Sequence, residues 1–329
     1  MNVLVTGGTG FLGQAVVRRL LAAGERVRVL VRSSSATPCP ALGGAEPVWG
    51  DLCAPLSLMQ ALDGMEAVCH CAAHMTVGDA WSTFEAVTVR GTEMLLQAAS
   101  HHKVKRFLHI SSLGVYGDGQ DTVTEDSPFD ASSAARGHYT RSKIESERLV
   151  RAYAREHGLP TTVIRPGPLY GPGKPPFVAR LCVPVGSKFQ IVVARSDQYL
   201  PLTYVENVAE AICLALEREQ AIGRDYNIVD GEALQQRTYL DLLRQVGLSQ
   251  RRTLMLPPAP LYPMVSLVEQ ACRWMGITPP LSRHQLERTL ASVRYDTSRA
   301  QQELGWSPKV GLVEALRTMY AARGESTRV

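Results

Sequence analysis

The sequence predicts an α/β fold: a Rossmann-type, doubly wound parallel sheet with a smaller, mostly helical C-terminal lobe. Short apolar runs alternate with helical patterns through the first half of the chain, as they do in parallel sheets. A glycine-rich stretch, VTGGTGFLGQ at 5–14, lies between the first apolar run and the first helical pattern. A proline- and glycine-rich stretch at 165–176 then ends the alternation.

The elements are predicted from periodicity, with strands as short apolar runs and helices as apolar residues repeating every three or four positions. The predicted strands are 2–5, 26–32, 45–50, 66–72, 104–110 and 160–166, and the first helices are 11–24, 56–62, 83–100 and about 134–157. Later helices are expected near 207–217, 237–246, 259–275, 283–291 and 312–322, with one return to the sheet around 203–230. Residues 1–170 plus about 201–230 are expected to form the nucleotide-binding domain, and about 171–200 and 231–329 the substrate lobe.

The composition favours a globular protein that acts on a small molecule. Of 329 residues, 45% are hydrophobic and 20% charged, and the net charge of +4 is spread without a basic stripe, so nucleic acid is not an expected partner. No transmembrane segment is expected, and a first strand beginning at Asn2 leaves no room for a signal peptide, which favours a cytoplasmic protein. The seven cysteines lack zinc spacing and are interpreted as reduced thiols, with no metal site. A homodimer is possible.

The glycine-rich stretch is typical of a turn that binds a dinucleotide. Gly7 is expected to allow the tight turn, Gly10 the close approach of the pyrophosphate, and Gly13 the packing of the helix on the strand. The helix that begins at Phe11 and Leu12 would present unpaired N–H groups and a positive dipole to the phosphates. A glycine-rich turn without a ligand is the alternative, and the strand 26–32 behind the helix argues against it.

A second motif, YTRSK at 139–143, can supply acid–base chemistry. Tyr139 and Lys143 lie one helical turn apart on the same face, and a nearby ammonium favours the phenolate. By itself, the pair is more often a solvated helix face. Upstream, HISSLGVYG at 109–117 places two serines at the carboxyl end of a strand, where ligands of open α/β sheets bind.

The glycine turn, the strand-end serines and YxxxK occur in an order that resembles the short-chain dehydrogenase/reductase superfamily. The resemblance is to its extended branch of NAD(P)-dependent epimerases, dehydratases and reductases, and is closest to hydroxysteroid-dehydrogenase-like reductases. It runs nearly end to end through GDL at 50–52, HCAA at 70–73, GTEMLL at 91–96, RPGPLYGPG at 165–173, YVENVAEAI at 204–212 and ELGWSP at 303–308.

The resemblance implies catalytic roles for three residues. Tyr139 would be the proton donor or acceptor, and Lys143 would hold the nicotinamide ribose and lower the pKa of Tyr139. Ser112 would hydrogen-bond the reacting oxygen, and it is preferred over Ser111 because it stands four residues before Tyr116.

The resemblance also implies cofactor contacts and contains one departure. These contacts would be Asp51 and Leu52 with the adenine, Ala72 and Ala73 on the ribose side, and Pro166 and Gly167 with the nicotinamide. Many family members have asparagine where this chain has Thr88, so a proton relay through that position is an open question.

The end of the second strand indicates which cofactor is preferred. NAD-preferring members usually carry an acidic residue where this chain has Val31. Arg32 and Ser33 follow, and a guanidinium beside hydroxyls suits the 2′-phosphate of NADP. NADP(H) is therefore the expected cofactor, with NAD(H) possible and a surface arginine as the alternative interpretation.

Three residues favour plain hydride transfer over sugar-nucleotide chemistry. Pro168, Leu200 and Pro201 stand where family members that bind sugar nucleotides usually carry anion-binding side chains. We therefore expect an NADP(H)-dependent ketone/secondary-alcohol oxidoreductase with an apolar or biosynthetic substrate. A sugar-nucleotide epimerase or dehydratase with tightly held NAD(P) is the alternative, and a redox sensor without turnover is a third.

An apolar stretch at 254–280 has two interpretations. Its apolar residues recur at helical spacing, which favours packing against the core of the lobe. The alternative is a wall for a lipophilic substrate.

Overall fold

The fold was analysed in a computed structural model. It describes residues 1–32, 42–76, 78–117, 120–174, 182–186, 188–193, 198–231, 234–249, 251–275, 286, 290 and 292–326. The predicted site residue Ser33 lies outside these described residues.

A seven-stranded parallel sheet forms the centre of the molecule, with strand order β12-β7-β5-β4-β1-β2-β3. Its strands are β1 (Asn2–Thr6), β2 (Arg26–Val31), β3 (Glu46–Trp49), β4 (Ala67–His70), β5 (Arg106–Ile110), β7 (Thr161–Pro166) and β12 (Asp225–Ile228). The chain starts in the middle of the sheet, runs outward through β2 and β3, and then returns to β4 on the other side of β1. The order therefore reverses between β1 and β4, and in such sheets a crevice opens there beyond the carboxyl ends of the strands.

Helices cover both faces of this sheet, as a doubly wound fold requires. On one face α1 packs against α6, and on the other α4 packs against α2 and α5. The helices are α1 (Phe11–Ala22), α2 (Pro55–Leu62), α3 (Trp81–Phe84), α4 (Gly91–His101), α5 (His138–His157), α6 (Val205–Glu217), α7 (Gln236–Gln245), α8 (Leu261–Trp274) and α9 (Leu312–Ser326). Of the described helices, none has the length and apolar character needed to cross a bilayer.

The C-terminal lobe has its own apolar core and a second sheet. Tyr239 and Leu243 of α7 pack there with Leu316 and Met319 of α9. A three-stranded sheet of order β13-β10-β9 lies in the same part of the chain. The strands outside the central sheet are β6 (Thr122–Val123), β8 (Leu169–Tyr170), β9 (Cys182–Val185), β10 (Phe189–Val193), β11 (Thr203–Tyr204), β13 (Arg252–Leu256) and β14 (Arg294–Tyr295).

The Rossmann-type sheet and its flanking helices confirm the predicted fold class, including the return of the chain to the sheet at β12. Two features were not predicted. A π-helical segment, Glu85–Arg90, joins α3 to α4 where one continuous helix was expected. The three-stranded sheet of the lobe was also not predicted, because its short strands lie outside the regular alternation of strands and helices. Of the helix expected at 283–291, only Leu286 and Leu290 are described, and both are helical and buried.

Candidate active site

A cleft of about 1110 Å³ opens at the carboxyl edge of the sheet, beside the ends of β1 and β4. It brings together every described residue that the sequence assigned to the site: Gly7, Gly10, Phe11, Leu12, Gly13, Arg32, Asp51, Leu52, Ala72, Ala73, Ser112, Tyr139, Lys143, Pro166 and Gly167. Segments that are distant in sequence therefore contribute to one concave surface, as a dinucleotide and a substrate require.

The glycine turn that follows β1 has the geometry of a phosphate cradle. Gly7 has a φ of 68°, and a Cβ atom there would lie 2.7 Å from the backbone nitrogen of Ala72. The Gly7 carbonyl accepts the N–H of Gly10 at 2.9 Å, which closes the turn. Gly10 is exposed, and a Cβ there would meet only the Gly7 oxygen within 4 Å. The face of Gly10 is therefore open to the cleft, and the residues present fit a dinucleotide pyrophosphate.

The start of α1 adds hydrogen-bond donors to this cradle. The first helical bond joins the N–H of Gln14 to the carbonyl of Gly10 at 2.9 Å, so the N–H groups of Phe11 and Leu12 have no carbonyl partner within the helix. A Cβ on Gly13 would lie 2.0 Å from the Gly7 oxygen, whereas a Cβ on Gly8 would lie 2.6 Å from Val29 of β2. Gly13 therefore packs the helix on the turn, and Gly8 allows the turn itself to pack closely on β2.

The adenosine end of the cleft is formed after β2 and β3. Val31 is buried at the end of β2, whereas Arg32 is exposed and lines the cleft. Asp51 uses one carboxylate oxygen to accept the N–H of Cys53 at 2.7 Å, and Leu52 is buried beside it. The carboxylate of Asp51 thus fixes the turn that presents Leu52.

Tyr139 and Ser112 both line the cleft. Burial raises the pKa of Tyr139, and the nearby Ser112 side chain lowers it in part. Ser112 follows the end of β5, and its side-chain oxygen accepts the N–H of Gly114 at 3.1 Å. That bond orients the serine while leaving its proton free to be donated toward the phenol or a substrate oxygen.

Lys143 lies one turn after Tyr139 on α5 and is almost fully buried. Its ammonium donates to the carbonyl oxygen of Ile110, the last residue of β5, at 2.7 Å. Burial lowers the pKa of Lys143 to about 8, and nearby Cys71 and Glu147 oppose this shift. In this structure Ser112 lowers the pKa of Tyr139. The Lys143 ammonium is instead hydrogen-bonded to the end of β5.

A buried ion pair lies beneath this group. Arg165 of β7 and Glu147 of α5 have no exposed side-chain surface and form a salt bridge. Arg165 and the Ser111 hydroxyl both hold the pKa of Glu147 below its ordinary value, although burial opposes them. Ser111 therefore lies near the buried ion pair and Ser112 near Tyr139, and the role of Ser112 beside the reacting oxygen stays a prediction.

Thr88 lies behind the cleft wall, inside the π-helical segment. Its hydroxyl oxygen accepts the backbone N–H of His74 at 2.9 Å, and its carbonyl accepts the Thr92 hydroxyl at 2.5 Å. Thr88 thus holds the segment that follows β4. Its role in a proton relay stays a prediction.

Two cleft residues carry chemistry that sequence reasoning did not assign. His74 binds the Asp79 carboxylate through Nε2 at 2.7 Å, and Lys174 places its Nζ 4.4 Å from the ring centroid of Phe11. His74 directly follows the HCAA motif at 70–73, and this position in the sequence could have identified it as a cleft residue. Lys174 follows the YGPG turn from a distant part of the chain, so only the folded structure brings it to α1.

The family model that matches the chain is described as the NAD dependent epimerase/dehydratase family, and the match spans residues 3–229. The chain belongs to this family. The chain is similar to a 4-hydroxy-2-methyl-3-oxo-4-farnesyl-3,4-dihydroquinoline-1-oxide ketoreductase from Stigmatella aurantiaca, which is 29% identical over 98% of this chain and 96% of its own length. Sterol demethylase protein B from Methylococcus capsulatus is 31% identical over 94% of each chain.

A solved structure agrees over the whole length. The crystal structure of gox2253 superimposes with a TM-score of 0.83 at 28% identity, and the match covers 99% of both chains. The family membership confirms the resemblance to extended short-chain dehydrogenases/reductases, and this epimerase/dehydratase family member is an NAD(P)-dependent oxidoreductase.

Proposed function

We propose that the protein transfers a hydride between NADP(H) and an apolar ketone or its secondary alcohol. The observation that carries this proposal is the meeting of the Tyr139 phenol, the Ser112 hydroxyl and the Lys143 ammonium in one cleft with the glycine cradle. Bound NADPH supplies the hydride to the carbonyl carbon. Tyr139 gives its phenolic proton to the carbonyl oxygen, and Ser112 donates a hydrogen bond to that oxygen as negative charge develops.

Lys143 is proposed to hold the nicotinamide ribose and to stabilise the phenolate that Tyr139 leaves. An ammonium close to a phenolate lowers the free energy of the charged form, and the buried setting makes this interaction stronger than it is in water. Its bond to the Ile110 carbonyl fixes where the charge lies.

An apolar substrate is supported by the wall opposite the catalytic group. Pro168, Leu200 and Pro201 all line the cleft, where a sugar nucleotide would need anion contacts. The names of the two relatives, one for a farnesyl-bearing quinoline oxide and one for a sterol, point the same way. We propose that the lobe, about 171–200 and 231–329, binds this substrate, because Val193, Gln198 and Gln236 also line the cleft.

The preference for NADP(H) over NAD(H) is supported by Arg32 at the adenosine end of the cleft and by the apolar Val31 before it. A cytoplasmic setting is supported by five free thiols, those of Cys53, Cys69, Cys71, Cys213 and Cys272. Homodimerisation stays a prediction.

The test is a substrate screen that follows NADPH absorbance with a 3-ketosteroid, an aliphatic 3-oxo ester and UDP-glucose in parallel. We expect oxidation of NADPH in proportion to alcohol formed from one of the ketones. Tyr139→Phe should retain NADPH affinity and lose about 10² to 10⁴ in rate, as expected for a lost general acid. Conversion of UDP-glucose without net NADPH consumption would instead establish the epimerase.

A further inference from the structure

The small sheet of the lobe has an unusual outer face. Along β10, Gln190 and Val192 are buried while Phe189 is 49% exposed, and along β13 Leu254 and Leu256 are 55% and 39% exposed. The buried side packs on the core of the lobe through Val192 and Met255. A sheet that is covered on one face normally carries polar residues on the other. Here the outer face is apolar.

Helix α8 likewise has an apolar outer face. Val265 and Cys272 are buried, and Val265 packs with Leu286 and Leu290, so one side of the helix is anchored to the lobe. The other side exposes large apolar side chains at helical spacing. These are Met264 (55%), Leu267 (70%), Val268 (40%), Trp274 (90%) and, directly after the helix, Met275 (64%). A surface helix that is apolar on both sides needs a second apolar partner.

These two faces account for most of the exposed large apolar side chains in the described chain. With Val185, which pairs with Phe189 across the small sheet, these two faces contribute nine of the sixteen exposed large apolar side chains among the described residues. We call these nine residues the apolar surface of the lobe. So many exposed apolar side chains in one part of the chain point to an interaction site, because isolated soluble proteins rarely expose large apolar patches.

Cations lie at one edge of this surface. Lys188 and Arg252 are adjacent across β10 and β13, since the N–H of Arg252 donates to the Lys188 carbonyl at 2.8 Å, and Arg251 precedes Arg252. All three side chains are exposed. Within the described part of the chain no carboxylate forms a salt bridge with any of them. Among the described residues, the positive charge at this edge is therefore not compensated by a salt bridge.

We propose that the apolar surface of the lobe docks on an anionic phospholipid bilayer. An apolar face that includes an exposed tryptophan and has cations at its edge matches the acyl boundary and charged headgroups of such a membrane. A second copy of the chain is the other candidate occupant of this surface, and the experiment below distinguishes it from a bilayer. In this arrangement α8 lies on the surface of the bilayer. None of the described helices has the length and apolar character needed to cross it.

The docked face leads toward the cleft. Val193 shares the outer face of β10 with Phe189, pairs in register with Leu256 of β13, and lines the cleft. A lipophilic substrate dissolved in the bilayer could thus reach the proposed active site along an apolar path. Membrane docking does not depend on the proposed function, so an experiment can contradict either proposal and leave the other intact.

The experiment is co-sedimentation of the purified full chain with vesicles of phosphatidylglycerol and phosphatidylethanolamine, and with vesicles of phosphatidylcholine alone. We expect binding to the anionic vesicles that weakens as salt is added. Replacing Leu267 and Trp274 together by serine should weaken binding about tenfold or more, because two exposed apolar side chains would no longer enter the lipid. Replacing Lys188, Arg251 and Arg252 by alanine should remove most of the salt dependence.

Leu56→Ser is the matched control, since Leu56 is 81% exposed on α2, far along the chain from the lobe, and its loss should leave vesicle binding unchanged. NADPH fluorescence and the melting temperature of each variant report an intact fold. The proposal is overturned if the wild-type chain binds neither kind of vesicle, or if the Leu267 and Trp274 variant binds like the wild type. A dimer in light scattering that this variant makes monomeric, without vesicle binding, would assign the surface to a second copy instead.

Discussion

The Lys143 ammonium donates to the Ile110 carbonyl oxygen at 2.7 Å, so the cation of the proposed catalytic group is tied to the last residue of β5. Ser111 and Ser112 follow Ile110 directly. One strand end therefore sets the position of the ammonium from α5, of the serine that reaches Tyr139, and of the serine that reaches the buried ion pair. The relative placement of these groups depends on the packing of α5 against β5.

The buried position of Lys143 predicts a pH dependence of cofactor binding. Its pKa is lowered to about 8, so the ammonium that would bind the ribose loses its charge as the pH rises through that value. We expect the dissociation constant of NADPH, measured by fluorescence, to rise above about pH 8. Lys143→Arg should keep the charge and remove this dependence, and Lys143→Met should bind more weakly at every pH. A constant wild-type affinity up to about pH 10 would contradict the assignment.

Alanine substitutions of Ser111 and Ser112 are expected to have different effects on rate and stability. Ser112→Ala removes the hydroxyl that lowers the pKa of Tyr139, so the rate should fall by about 10² and the phenol should titrate at higher pH. Ser111→Ala removes a buried hydroxyl that lowers the pKa of Glu147, so it should lower the melting temperature more than the rate. Single-turnover rates and thermal melts of the two variants provide the comparison. The opposite pattern would exchange the two roles.

Arg32 is expected to discriminate between the cofactors. A guanidinium that contacts the 2′-phosphate contributes nothing to NADH, so Arg32→Ala should weaken NADPH binding about tenfold and NADH binding far less. Arg26→Ala is the matched control, because Arg26 is exposed at the opposite end of the same strand and does not line the cleft. Titration calorimetry with both cofactors measures the difference. Equal losses for the two cofactors would refute the preference for NADP(H).

The nucleotide half of the molecule was predictable because its signals are local. Gly7 and Gly10 sit between a strand and a helix, and the spacing of Tyr139 and Lys143 fixes their common helix face. The lobe was harder, since the partners of its elements are distant in sequence. The stretch 254–280 illustrates this, because helical spacing cannot say which side of a helix meets the core.

In the structure this stretch follows neither interpretation completely. Val265 and Cys272 of α8 pack inward, whereas Leu267 and Trp274 are exposed. None of the described residues of this stretch, 254–275, lines the cleft, so these residues do not form the substrate wall that was the alternative interpretation. Packing against the core of the lobe accounts for the buried side of α8, and it does not account for the exposed side.

Lys174 was also beyond the reach of sequence patterns, and it yields the last prediction. Its Nζ lies 4.4 Å from the ring centroid of Phe11, the first residue of α1, and burial lowers its pKa. A Cβ on Gly171 would approach Phe11 at 3.3 Å and Val205 at 2.8 Å, so the 171–174 turn is held tightly against α1 and α6. The ammonium therefore stands over the ring of the first residue of α1, in the cleft that the glycine turn also lines.

Lys174→Met keeps most of the apolar stem and removes the charge. We expect it to weaken NADPH binding about fivefold to tenfold and to reduce the salt dependence of that binding, because a half-buried cation beside a diphosphate is only partly screened. NADH, which has the same diphosphate, should lose affinity by a similar factor, in contrast to the Arg32→Ala variant. Lys105→Met is the control, since Lys105 pairs with Glu66 at 2.9 Å and does not line the cleft. If Lys174→Met bound both cofactors as the wild type does, with an unchanged salt dependence, Lys174 would be a packing residue on Phe11 with no part in holding the pyrophosphate.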